Sequence, residues 1–162
     1  MKTGMGLPCL VRSVRPEALP MWANRAEASG FSSLGADSCI AYPSVTDTMA
    51  LAAVAGATRT IRLISNVVVE PCWPPVVLAK ELAGIQSVSG GRLTLGVGIG
   101  GRSDDFMVED VEPLRLGKRM EDALEIFRDF CEGEALRATN RSMHPLTGSR
   151  CRCCSAVRLR PR

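Results

Sequence analysis

Short apolar runs alternate with longer segments of helical periodicity through the first 134 residues of the chain. The strand-like runs lie at residues 3–11, 31–36, 61–69 and 93–97, and the helical patterns lie at 16–29, 47–57, 76–87 and 116–130. The run 61–69 is dense in Val, Ile and Leu, which is typical of a strand that is buried on both faces. The alternation predicts an α/β fold with a parallel sheet and about four βα units.

The composition changes abruptly near residue 135. Residues 1–134 carry 13 basic and 17 acidic side chains, whereas residues 135–162 carry seven Arg and no acidic residue. This tail has no helical or alternating apolar period, so we predict one folded unit at 1–134 and an irregular, disordered tail at 135–162. Three interpretations of the tail remain open: a nucleic-acid-binding arm, a small metal site built from His144 and nearby cysteines, and coding in another reading frame from near His144. We favour the third, because the spacing Cys151-x-Cys153-Cys154 suits zinc poorly.

Apolar segments and cysteines indicate where in the cell the protein is located. No apolar run approaches the roughly 18 residues of a membrane span, and no continuous apolar segment follows Met1 as in a secretory signal. The cysteines of the body, Cys9, Cys39, Cys72 and Cys131, are scattered singly, which is typical of reduced core residues. We therefore expect a cytoplasmic protein.

A glycine-rich segment follows the fourth predicted strand. Residues 96–101 read G-V-G-I-G-G and fit the dinucleotide-binding pattern G-x-G-x-x-G. That pattern belongs to the first βα turn and opens directly into a helix, whereas here three βα units precede it and residues 102–113 resemble a loop. A tight turn, or a strand end that lets the backbone approach a flat cofactor ring, explains the glycines equally well.

Residues 4–134 resemble the luciferase-like family of flavin-dependent monooxygenases and deazaflavin-dependent oxidoreductases. The resemblance rests mainly on residues 22–34 (W-A-N-R-A-E-A-S-G-F-S-S-L), 75–82 (P-V-V-L-A-K-E-L) and 89–100 (S-G-G-R-L-T-L-G-V-G-I-G). It implies a (β/α)8 TIM barrel with FMN or a deazaflavin coenzyme (F-420 type), a small organic substrate and, in some members, a reductase that supplies reduced flavin. A complete barrel needs about 250 residues, so the chain corresponds to the N-terminal half of one.

The resemblance also implies which residues lie at the cofactor. The ring would lie over a bulged third strand with a non-prolyl cis peptide near Asn66-Val67, and Asp37, Gly98, Gly100 and Asp105 occupy the neighbouring strand ends. For Asp105 we favour a solvated loop charge, and Glu70 can equally be a surface charge at a strand end. Ser38 stands where the family often has a histidine, so no catalytic residue is assigned, and no metal ligand is assigned either.

Two functional classes remain at this point. The first is a flavin- or deazaflavin-dependent oxidoreductase, in particular a monooxygenase, whose barrel is truncated by a change of frame. The second is a non-catalytic half-barrel that binds a partner chain or self-assembles, because an open sheet exposes two strand edges. A nucleic-acid-binding role would depend on the basic tail alone.

Overall fold

The computed structural model describes residues 2–132, and the side chains of residues 2–130. The predicted tail at 135–162 and the side chain of Cys131 lie outside the described residues. Within residues 2–132, no helix is long and apolar enough to cross a membrane.

The described chain contains six short strands, five α-helices and two 3-10 turns. The strands are β1 (Gly4–Gly6), β2 (Ser33–Ala36), β3 (Arg62–Ser65), β4 (Val68–Val69), β5 (Leu93–Thr94) and β6 (Val97–Gly98). The helices are α1 (Leu19–Ala28), α2 (Asp47–Ala57), α3 (Pro75–Val88), α4 (Ser103–Val108) and α5 (Leu116–Glu132), and the turns are Pro16–Ala18 and Glu70–Cys72.

The strands are parallel and lie side by side in chain order. One sheet has the order β1-β2-β3-β5, and β4 pairs with β6 in a second, two-stranded sheet. A doubly wound nucleotide-binding sheet reverses its order at a switch point, whereas strands added one after another in the same direction curve towards a barrel. The α/β fold with parallel strands and four βα units is thus confirmed, and the dinucleotide interpretation of residues 96–101 is not supported.

Two of the predicted strands are each divided in two. The predicted strand 61–69 becomes β3 and β4, which are separated by a cis peptide bond between Asn66 and Val67. The predicted strand 93–97 becomes β5 and β6, which are separated at residues 95 and 96. Each second half lies towards the carboxyl end of its strand, and there β4 pairs with β6.

The main core lies between the sheet and the helices. Leu34 and Leu63 from the strands are fully buried against Leu51, Val54 and Leu78 from α2 and α3. Helix α5 adds Met120, Leu124 and Phe127, which follow the helical period and are all buried. On α1, Leu19, Ala23 and Ala26 are buried, but Trp22, which shares their helical spacing, is 41% exposed.

Two charged side chains, those of Glu27 and Arg92, connect separate segments of the chain near the amino ends of the strands. The carboxylate of Glu27 accepts hydrogen bonds from the backbone N–H groups of Arg59, Thr60 and Ile61 at the start of β3. Burial raises the pKa of Glu27, but these hydrogen bonds outweigh it and lower the pKa to about 2. The Arg92 guanidinium donates to carbonyls of Ala55, Thr58, Ile61 and Ser89, and to the hydroxyl of Thr58.

The predicted loop 102–113 is wrong in its first half. Residues 103–108 form α4, whose first turn carries Asp104 and Asp105. Acidic side chains stabilise the positive end of a helix, and the buried Phe106 anchors this one, which explains why so short and polar a segment is helical. The helix places Asp105 against the rest of the protein.

Candidate cofactor site

The carboxyl ends of the second and third strands meet through polar groups. The side-chain amide of Asn66 donates to Asp37 at 3.3 Å, and the backbone N–H of Asn66 donates to the carbonyl of Ala36 at 2.8 Å. The cis peptide bond follows directly at Asn66–Val67, so the position inferred from the family resemblance is confirmed. Both polar side chains are exposed at this edge of the sheet, where they remain accessible to a ligand.

The floor of the candidate site is the side chain of Val67, which lies directly on glycine backbone. Gly96 and Gly98 both contact it, and neither leaves room for a side chain of its own. A Cβ atom added to Gly96 would lie 2.5 Å from the carbonyl oxygen of Ser65 and 3.1 Å from a Val67 methyl, and one added to Gly98 would lie 2.9 Å from the other Val67 methyl. Since Val67 is 39% exposed, the side of this residue that turns away from the glycines is open to solvent, and we call Val67 with the glycine backbone beneath it the glycine platform.

Gly100 continues the same glycine spacing and permits an apolar wall above the platform. Its φ of +79° is a conformation that favours glycine. An added Cβ would lie 2.8 Å from Val69 and 2.9 Å from the ring of Phe106. Val69 and Phe106 belong to a small buried cluster with Cys72 and Val111. The glycine thus allows this cluster to close directly against the backbone.

Asp105 is not the solvated loop charge that the sequence allowed. Its side chain is 2% exposed, and one carboxylate oxygen accepts a hydrogen bond from the backbone N–H of Ala41 at 2.8 Å. The thiol of Cys39 lies 3.7 Å from the same oxygen, and Arg102 lies 3.9 Å from the other. Arg102 also stacks over the ring of Tyr42, 4.9 Å from its centroid. A buried carboxylate requires hydrogen-bond donors, and Ala41 and Cys39 of the loop between β2 and α2 supply them. These contacts therefore hold that loop against α4.

Asp47 and Ser38 are site-proximal residues that sequence reasoning did not select. Thr46 caps α2, and Asp47 is the first residue of the helix and is 1% exposed. Burial raises the pKa of Asp47 to about 6, although backbone N–H groups and the Ser38 hydroxyl oppose the shift. Within the described residues neither Ser38 nor Asp47 makes a side-chain hydrogen bond of standard geometry. No pattern in the sequence distinguishes Asp47 from an ordinary capping residue.

The three described body cysteines are free and buried, as predicted. Burial, together with the negative charges of Asp37 and Asp47, raises the pKa of Cys9 to about 11. Burial and the charge of Asp105 likewise raise the pKa of Cys72 to about 11. These thiols are therefore protonated near neutral pH and are poor nucleophiles.

Glu70 is buried, contrary to its interpretation as a surface charge at a strand end. The residue is 2% exposed, and its Oε2 has no hydrogen-bond partner among the described residues. Burial raises the pKa of Glu70 from 4.5 to about 7, and the positive charge of Arg119 opposes the shift. Arg119 itself donates to the carbonyl of Pro71 at 3.1 Å, so it fixes α5 to the end of β4.

Glu70→Gln is expected to stabilise the protein at pH 8 and to have little effect at pH 4. Because the pKa of the folded state is raised, the free energy of unfolding falls as the pH rises from 4.5 to about 7, and the cost is complete above that pH. Below pH 4.5 the carboxyl group is protonated in both states and the cost vanishes. The expected gain at pH 8 is about 2 kcal/mol. Urea unfolding at both pH values measures it, with the exposed Glu17→Gln as a control. An equal effect of Glu70→Gln at the two pH values would contradict the assignment.

A cavity of about 830 Å³ adjoins the wall of the site on its outer side. It lies between α4 and the segment that leads to α5, and Phe106, Met107, Val111 and Pro113 contribute its apolar lining. Gly101 and Phe106 connect it to the glycine platform. The cavity is thus placed beside the candidate ring site rather than on it.

Comparison with known proteins decides the family. The luciferase-like monooxygenase family matches residues 6–152 of the chain. The chain belongs to this family. The matched range covers the predicted folded unit and extends into the segment that follows residue 134.

Curated relatives of this luciferase-like chain include proteins with and without an assigned activity. An uncharacterized protein of Mycobacterium tuberculosis is 30% identical over 134 residues, which cover 69% of this chain and 46% of the relative. The oxygenase component of flavin-dependent trigonelline monooxygenase from Acinetobacter baylyi is 30% identical over 86 residues, covering 52% and 24%. The chain spans about half the length of the Mycobacterium tuberculosis relative.

Solved structures confirm the fold of the luciferase-like chain. The oxygenating constituent of 3,6-diketocamphane monooxygenase from Pseudomonas putida, a complex with FMN, has a TM-score of 0.73 and 18% identity, covering 88% of this chain and 42% of that one. The coenzyme F-420-dependent tetrahydromethanopterin reductase of Methanopyrus kandleri has a TM-score of 0.70 and 17% identity, covering 95% and 48%. The described unit therefore corresponds to about half of a TIM barrel.

Proposed function

We propose that the glycine platform binds the planar ring of a flavin or deazaflavin. The observation that carries this proposal is the exposed Val67 side chain, which packs directly on the backbone of Gly96 and Gly98. A tricyclic ring needs an apolar surface, and the glycines let Val67 lie low against the backbone and so leave space above it. The residues present thus fit such a group.

Each of the six selected residues has a role in this proposal. Val67 and Gly98 contact a face of the ring, and Asn66 and Asp37 offer an amide and a carboxylate at its edge. Gly100 lets the apolar wall of Val69 and Phe106 exclude water from one side of the site. Asp105 contacts no ligand: its hydrogen bond to Ala41 holds the loop that borders the site. It is a positioning residue.

The activity that this site supports best is that of a luciferase-like flavin-dependent monooxygenase or oxidoreductase acting on a small organic substrate. The bound cofactor would supply either the reaction of reduced flavin with oxygen or the transfer of a hydride from reduced deazaflavin. The Pseudomonas putida protein is a complex with FMN, which favours FMN as the cofactor. The Methanopyrus kandleri reductase depends on coenzyme F-420, so a deazaflavin is the alternative. The relative from Acinetobacter baylyi is an oxygenase component, which supports a separate reductase as a partner. A cytoplasmic location and the frame change in the tail remain predictions.

The protein's own part in the chemistry is to orient the cofactor and keep the site dry. Ser38 does not replace the proton-transfer function of a histidine, because an alcohol does not titrate near neutral pH. Asp47 is ionisable near pH 6 but is fully buried behind the strand ends. No side chain is therefore assigned to proton transfer.

Titration of the purified chain with FMN and with a deazaflavin coenzyme tests the proposal. We expect saturable binding of one of them, measured as quenching of cofactor fluorescence, with a 1:1 stoichiometry. Riboflavin serves as a control for ring binding without the phosphate. A folded chain that binds none of the three at millimolar concentration would contradict the proposal.

A further inference from the structure

The cavity between α4 and the segment that leads to α5 is large enough for a small organic molecule. Its volume of about 830 Å³ lies in the range of roughly 300 to 1,000 Å³ that is common for ligand sites. Phe106 and Val111 contribute to its apolar wall and are each 9% exposed, so packing within the small buried cluster holds them in place. Met107 also lines the cavity but is 74% exposed, and a flexible methionine side chain can adapt its shape to a ligand.

The polar lining of this cavity is acidic. Residues 103–112 contain five carboxylates and no basic side chain. Asp110 and Glu112 of this segment line the cavity, and none of the described lining residues is basic. Both carboxylates are exposed, whereas Val111 between them is buried. The apolar lining therefore lies deeper, and the negative charge lies at the mouth of the cavity.

The turn after α4 fixes the acidic mouth relative to the apolar wall. The backbone N–H of Val111 donates to the carbonyl of Phe106 at 2.8 Å, and that of Asp110 donates to the carbonyl of Met107 at 3.4 Å. Asp110 has a φ of +50°, a conformation that aspartate and asparagine adopt more readily than most residues. The positions of the charges thus follow from the backbone of this turn.

The cavity lies beside the glycine platform but does not suit the cofactor itself. Gly101 lines the cavity, and the ring of Phe106 packs over Gly100, where an added Cβ would lie 2.9 Å from it. FMN and the deazaflavin coenzyme both carry phosphate, which two carboxylates at the mouth would repel. The cavity therefore suits a second molecule next to the ring.

An acidic mouth above an apolar wall favours a cation that has an apolar body. Within residues 2–132, no three Asp, Glu, His or Cys side chains lie close enough together to hold a metal ion. A metal ion would also leave the apolar wall unused. An organic ammonium ion uses both parts of the lining, because its charge pairs with the carboxylates and its body covers apolar surface.

We propose that this cavity binds an organic ammonium ion, with the charged group at Asp110 and Glu112 and the apolar body against Phe106, Met107 and Val111. The role of such a molecule as a substrate at the ring rests on the proposed function, whereas its binding in the cavity does not.

Titration of the isotope-labelled full chain with three probes of the same shape, without cofactor, tests the proposal. Phenylbutylamine, phenylbutanol and phenylbutyrate, each with its functional group at the end of the chain, are positive, neutral and negative at pH 7. We expect the amine to shift the backbone amide signals of Gly101, Met107 and Val111. Its affinity should be about tenfold higher than that of the carboxylate, because two carboxylates attract one probe and repel the other.

Neutral variants of the mouth test the contribution of its charges. Asp110→Asn combined with Glu112→Gln is expected to reduce the preference for the amine to within about twofold, with the affinity of phenylbutanol unchanged. Asparagine also tolerates the positive φ at position 110. Glu109→Gln is the matched control, because Glu109 is an exposed carboxylate of the same segment outside the lining, and it should keep the preference.

A cation placed in the cavity should compete with the amine. Met107→Lys is expected to weaken amine binding by about fivefold or more, because the new charge lies where the probe binds. Val108→Lys on the same helix is the control, since Val108 is also exposed but does not line the cavity.

Absence of amide shifts in residues 101–113 at about 10 mM amine would overturn the proposal. Equal affinities of the wild type for the amine and the carboxylate would do so too, as would a preference that persists in the double variant. A parallel titration with FMN and the deazaflavin separates the two proposals. Amine binding without cofactor binding supports the cavity site and contradicts the ring site, and the reverse result contradicts the cavity site alone.

Discussion

Replacing Arg92 by alanine is expected to lower the free energy of unfolding by about 4 kcal/mol, because several buried carbonyls lose a charged donor at once. The guanidinium makes five hydrogen bonds of 2.7 to 2.9 Å, which connect the end of α2, the start of β3 and the end of α3. A methyl group satisfies none of these acceptors. Urea unfolding at pH 7, followed by far-ultraviolet circular dichroism, measures the change.

Two further variants separate the hydrogen bonds from the charge. Arg92→Lys keeps the positive charge but cannot reach four acceptor residues in the fork geometry of a guanidinium, so we expect it to recover less than half of the loss. Arg62→Ala removes a neighbouring arginine that is exposed on β3, and we expect a change below about 0.5 kcal/mol. Equal unfolding free energies for Arg92→Ala and Arg62→Ala would show that the network does not stabilise the fold.

Replacing Gly98 by leucine is expected to weaken cofactor binding on the order of 100-fold, which corresponds to about 2.7 kcal/mol. The new Cβ would lie 2.9 Å from a methyl of Val67, a side chain that is free to shift because its face is exposed. The rest of the leucine side chain would then occupy the platform on which the ring is proposed to lie. The fold should therefore survive while the ring site is filled.

Gly101→Leu is the matched control for that substitution. Gly101 lies three residues further along the same segment, is exposed, and has no atom within 4 Å of an added Cβ. Fluorescence titration with FMN, or with the deazaflavin if that is the cofactor bound, should give an affinity within about twofold of the wild type for Gly101→Leu. If the two leucine variants bind equally well, the ring does not lie on the glycine platform.

The sequence predicted the fold where periodicity is strong. The helices α2, α3 and α5 begin and end within about two residues of their predicted bounds, because apolar spacing, Thr46 and Pro75 mark them clearly. The break between β3 and β4 could not come from periodicity. It was placed at Asn66-Val67 only through family resemblance, and the cis peptide bond lies there.

Burial of charged residues was the part that the sequence could not show. Asp105 lies in a polar segment after a glycine-rich stretch, and Glu70 lies between the apolar run 67–69 and Pro71, where the end of a strand is expected at the surface. Their burial depends on contacts across the fold: Asp105 meets Ala41, 64 residues away, and Glu70 lies near Arg119 on α5. Such contacts leave no local pattern. The same holds for Asp47, whose position at a helix start looks like ordinary capping.

The most direct test of the glycine platform as a cofactor site is a map of backbone amide chemical shifts while FMN or the deazaflavin is added to the isotope-labelled chain. We expect the largest shifts at Val67, Gly96, Gly98 and Gly100, and small shifts at Glu27 and Arg92 at the opposite end of the strands. A ligand that binds but shifts amides only around Met21 and Trp22, or at that opposite end, would contradict the account.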